Sequence, residues 1–100
     1  MLVFHDPLCV EYSAPGHPER PARIARTAPL LQERHPRWRW KQPAAVTDKE
    51  LLHAHSPEHI ARIKNPAGDF DADTPAYPNI EHYARQSAGA AVETACAAQD

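Results

Sequence analysis

Proline occupies positions 7, 15, 18, 21, 29, 36, 43, 57, 66, 75 and 78 of this chain, and none follows. Proline has no amide proton and its ring clashes with the carbonyl four residues earlier, so each position opens, kinks or ends a helix. Residues 79–100 are the longest proline-free run, and "IEHYARQSAGAAVETACAAQ" within it is predicted to be the longest helix. Its face of Ala84, Ser87, Ala88, Ala91 and Ala95 is small enough for a neighbouring backbone to approach closely. Upstream, "RPARIARTAPLLQER" starts a helix with Pro21 near its first position, where a missing N–H costs nothing. Ile24, Ala28 and Leu31 share one face of it, and Pro29 predicts a kink or a restart. Thr47 and Glu50 have the spacing of a capping box, and Ser56–Pro57 caps and opens a further short helix, "PEHIARIK". "NPAGDFDADTPAYPN" reads as a loop.

Two segments carry strand patterns. "MLVF" is a short apolar run leading into a loop, "HDPLCVEY". In "HPRWRWKQPAAV", Trp38 and Trp40 point one way and Arg37, Arg39 and Lys41 the other, the two-residue period of a strand. Strand, helix, strand, two short helices, loop and long helix is the order in which an α/β domain opens. With 100 residues, 24 % charged side chains and a mean hydropathy of −0.64, the chain has little apolar material for a core. A domain of this size buries only roughly 60–70 % of its unfolded surface.

The net charge of −2 implies neither a nucleic-acid binder nor an acidic tail, but it is unevenly spread. Arg20, Arg23, Arg26, Arg34, Arg37, Arg39 and Lys41 are opposed only by Glu33, whereas Arg85 is the sole cation after Asp69. Cys9 and Cys96 form no disulfide framework, "MLVFHDP" lacks the basic start of a signal peptide, and no segment approaches a membrane span. A cytoplasmic, reducing location is the expectation, with no membrane and no nucleic acid among the partners.

Several clusters could carry chemistry. His53, His55 and His59 have metal-like spacing, but Ser56–Pro57 interrupts the helix between the last two and no cysteine or carboxylate completes a zinc site. His5, Cys9 and His17 offer three ligands without a fourth. Asp69, Asp71 and Asp73 fall in one loop that lacks the glycine and distant glutamate of an EF-hand. "RHPRWRWK" interleaves cations with aromatics, as single-strand binders do, and an amphipathic strand accounts for the same letters. Neither a nucleophile elbow nor a phosphate-cradling glycine loop is present.

Four pieces in series, "GHPERPARI" (16–24), "AAVTDKELLHAHSPEHIARI" (44–63), "DADT" (71–74) and "ARQSAGAAVETA" (84–95), resemble the N-terminal part of the histone deacetylase superfamily. The flavour is that of its bacterial class II-type and acetylpolyamine amidohydrolase-like members. The resemblance implies an arginase–deacetylase three-layer α/β fold, a parallel sheet flanked by helices. It also implies zinc-dependent hydrolysis of acetyl-lysine or acetyl-polyamine amides, in which a metal-bound water attacks a carbonyl polarised by zinc and a tyrosine. By the same resemblance, Arg23 matches an arginine beneath the active-site tunnel, on a channel proposed to release acetate. Asp73 matches the rim acid that holds substrate N–H groups at the tunnel mouth. His17 matches a ligand of an extra structural zinc site in some members, but the cysteine that site needs before "DADT" is missing.

Neither an adjacent His pair nor a D-x-H ligand motif, both hallmarks of the family's centre, occurs in these residues. Residues 1–100 are therefore expected to be the N-terminal part of a deacetylase domain, incomplete at its C-terminal end, binding no zinc and inactive alone. The missing remainder of the domain is the expected partner. The alternative is a free-standing interaction module that kept the family's first elements without its chemistry.

Overall fold

The computed structural model describes residues 1–11, 21–71 and 74–99. A mixed α/β arrangement runs β1 (Leu2–Phe4), a 3₁₀ turn (Pro7–Val10), α1 (Ala22–Ala25), α2 (Thr27–Arg34), β2 (Arg39–Lys41), α3 (Asp48–Leu51), α4 (Pro57–Lys64) and α5 (Ile80–Gln99). The two strands pair in parallel, Leu2 with Arg39, Val3 with Trp40 and Phe4 with Lys41. Parallel pairing requires a long crossover, which the segment carrying α1 and α2 supplies. As the alternation predicts, Trp38 and Trp40 are half-buried while Arg37, Arg39 and Lys41 are exposed.

Proline and caps set the helix ends. The chain breaks at Arg26 and restarts at Thr27, which leaves Pro29 in the first turn of α2, where no amide is needed from it. Thr47 accepts from the Glu50 N–H while the Glu50 carboxylate accepts from the Thr47 N–H, completing the predicted capping box. Ser56 caps α4 through the His59 N–H, with Pro57 at the first helical position. Before α5, Asn79 takes a left-handed φ of 61°, a conformation asparagine tolerates better than most residues.

The segment expected to be a plain loop after β1 is instead a 3₁₀ turn. Asp6 caps it, accepting from the Leu8 N–H at 3.1 Å, which fixes the chain as it leaves the strand.

Helix α5 docks on residues 44–48 by a two-point clamp at Arg85. Its backbone carbonyl accepts from the Val46 N–H at 3.1 Å, and its guanidinium donates to the Val46 carbonyl at 3.0 Å. Asp48 and Glu81 balance the charge, and Glu93 accepts from the Ala44 N–H at 3.0 Å. Bonds from Lys64 and then Arg85 hold the Asp48 carboxyl below its ordinary range. The close backbone approach falls on Gly89, not on the alanine face. Gly89 is buried against Ala44, while Ala84, Ser87, Ala91 and Ala95 are exposed and Ala88 is half-buried. An alanine Cβ would still have held the Ala44 carbonyl away; only glycine lets the two backbones meet.

Among the described residues, the buried apolar side chains are Val46 and Ile60, with Pro43 also buried. The molecule is a slab of 43 × 36 × 16 Å. Its accessible surface is 7360 Å², against about 5,700 Å² for a compact monomer of this mass.

Candidate functional site

A cavity of about 310 Å³ opens where β1 ends, between the 3₁₀ turn, α1 and α5. Phe4, His5, Asp6 and Cys9 form one wall, Arg23 and Ile24 a second, and Tyr83, Gln86 and Ala90 a third. The fold thus joins positions separated by more than half the chain, because α5 crosses beside β1 once it is clamped to residues 44–48.

Asp6 is the polar centre of this cavity. It is only 7 % exposed; its Oδ1 accepts from the Leu8 N–H and, at 3.4 Å, from the Gln42 amide, while Oδ2 has no hydrogen-bond partner. Gln86 Oε1 is likewise buried without a partner. Buried groups left in this state cost about 1–3 kcal/mol each unless a partner reaches them. Burial, reinforced by the Asp6 charge, pushes the Cys9 thiol above its ordinary value. Burial followed by the charges of Glu11 and Asp6 does the same to the Tyr83 phenol. Both groups are therefore neutral at physiological pH, and Cys9 is no thiolate nucleophile. The edge of His5 meets the Trp40 ring at a centroid distance of 5.5 Å, fixing the top of the wall.

Of the residues singled out in the sequence, Arg23 lies on the cavity wall, with His5 and Cys9 across from it. Asp73 and His17 lie outside the described residues. The flanks of the Asp73 loop are braced: the Asp69 carboxylate accepts from the Ala76 N–H at 3.0 Å, and the Phe70 N–H donates to the Thr74 carbonyl at 2.9 Å. Arg62 donates to the Phe70 carbonyl at 3.2 Å and sets its guanidinium 4.9 Å from the centre of the Phe70 ring. Trp38 stacks flat on His35 at 3.9 Å. His55 and His59, which the Ser56–Pro57 break was expected to separate, stand with ring centroids 5.0 Å apart, and His53 is exposed. Sequence reasoning missed Asp6, Tyr83 and Gln86. Their convergence depends on where α5 crosses β1, and nothing local announces it.

The histone deacetylase domain pattern matches residues 17–100, and the chain belongs to that family. It is 34 % identical over 82 residues to an uncharacterized protein of Synechocystis sp., an overlap that takes in 73 % of this chain and 27 % of that protein. The chain therefore spans about a quarter of the length of the relative it matches. No solved structure matches it.

The family is zinc-dependent, and the described residues do not fit a three-ligand centre for that metal. Among the described residues, no three His, Cys, Asp or Glu side chains come together where an ion could be held. No helix among them is long and apolar enough to cross a membrane.

Proposed function

We propose that this chain forms the N-terminal part of a zinc-dependent amide hydrolase of the class II-type or acetylpolyamine amidohydrolase-like branch. Its substrates in this reading are acetyl-lysine or acetyl-polyamine amides, cleaved by water to acetate and the free amine. The two strands are then part of the parallel sheet of the three-layer arginase–deacetylase fold. The zinc, its ligands and the proton-transfer groups come from residues outside this sequence.

The observation that carries the proposal is the cavity at the end of β1 with Arg23 on its wall. A guanidinium offers five donors in a planar fork, suited to a carboxylate product in a confined space. Cys9 and Tyr83, which line the same cavity, stay neutral and add no negative charge to it. Arg23 in this reading guides acetate away, and Asp73 holds substrate N–H groups at the rim through its two carboxylate oxygens. The surface of 7360 Å², well above that of a compact monomer, is what the remainder of the domain would cover.

The coding sequence beyond Asp100 tests the assignment. A continuation that supplies an adjacent His pair and D-x-H ligands is expected. A frame that runs on without them would overturn it and leave the interaction-module alternative.

A further inference from the structure

His55 ends the turn after α3, and His59 sits in the first turn of α4. The break between them does not part their side chains. Ser56 accepts from the His59 N–H at 3.2 Å and Pro57 fixes the first helical residue, so the two backbones are held in one capped turn. The rings stand 5.0 Å apart and are tilted by 32°. Both face the groove of about 180 Å³ between this turn and α5. His59 is half-buried and His55 exposed.

That separation is compatible with a shared ion. With metal–nitrogen bonds of about 2.0–2.1 Å, two imidazoles sharing one ion at about 90–110° place their ring centres roughly 4.5–5.2 Å apart. The observed 5.0 Å falls inside that window. We propose that His55 and His59 form a two-imidazole site for a borderline divalent transition metal, Cu²⁺ before Ni²⁺ and Zn²⁺, with solvent filling the remaining positions. The order follows the affinity of nitrogen ligands for these ions; hard ions such as Mg²⁺ and Ca²⁺ find no converging oxygens here. Arg85 lines the same groove, but Asp48 and Glu81 pair with its guanidinium. The groove shares no lining residue with the cavity at the end of β1.

The test is a titration of the purified 100-residue chain with CuCl₂ in a non-coordinating buffer, followed by electron paramagnetic resonance. One equivalent is expected to bind tightly with a two-nitrogen signature, and His59→Gln is expected to weaken binding about tenfold or more. His55→Gln, at an exposed position, repeats the test should His59→Gln disturb the turn, with far-UV circular dichroism as the check on folding. His53→Gln, two residues away, is expected to leave the affinity unchanged. Wild-type affinity in both His55→Gln and His59→Gln would overturn the site, as would an equal loss in His53→Gln or the absence of a one-equivalent phase.

Discussion

Replacing Gly89 by alanine is expected to unfold the docking of α5, against the direction that helix propensity alone dictates. In a free helix this change stabilises by about 1 kcal/mol. Here the added Cβ would lie inside van der Waals contact of the Ala44 carbonyl oxygen, 3.0 Å from its carbon and 3.2 Å from the Val46 nitrogen. These are backbone atoms held by Arg85 and Glu93, so they cannot move aside as a flexible side chain would. Overpacking of this kind costs up to about 3 kcal/mol. With so few buried apolar side chains among the described residues, a loss of that size takes most of the stability a small core supplies. The measurement is urea unfolding followed at 222 nm: a lowered midpoint is expected, and a raised one would show that α5 behaves as a free helix.

The chain on its own is expected to unfold over a broad temperature range and to self-associate as its concentration rises. A slab only 16 Å thick has room for little more than one layer of side chains between its faces. Leu8, Leu30 and Leu52 are 44 %, 44 % and 49 % exposed, and Ile24 and Val92 are 37 % and 40 % exposed. The difference between 7360 Å² and the surface of a compact monomer is about 1,700 Å², comparable with the total area buried in a standard protein–protein interface. Calorimetry with sedimentation velocity at two concentrations decides the matter. A sharp two-state melt of a monomer would contradict the picture of faces that another part of a domain covers.

Much of the local structure is legible in the sequence because it is enforced within a few residues. Thr47 with Glu50, Ser56 with Pro57, Pro29 against the Ala25 carbonyl and the Trp–Arg alternation each act over four positions or fewer. The long helix follows from the absence of proline after position 78. Its buried side does not, because small residues occupy most of the circumference of α5 and leave the periodicity without a preferred direction. The contact on Gly89 is decided by the clamp at Arg85, which ties together positions 39 apart.

The candidate site divides in the same way. Arg23 came from resemblance to a family, and its placement on a cavity wall depends on elements at both ends of the chain. Asp6 reads in sequence as an ordinary loop acid. Only the return of Gln42 beneath it and of α5 beside it makes it a buried carboxylate with one unpaired oxygen. The helix break at Ser56–Pro57 is present as the sequence reads, and the capped turn leaves the His55 and His59 rings 5.0 Å apart across it.

Residues 1–100 are proposed to supply a product-side cavity at Arg23 without a catalytic metal centre. The purified chain, given excess zinc and a fluorogenic acetyl-lysine substrate with and without a chelator, tests that claim most directly. No chelator-sensitive turnover is predicted, since no described cluster of three ligands exists to hold the ion. Turnover abolished by the chelator would mean that a working zinc centre forms among these 100 residues, and would contradict the account.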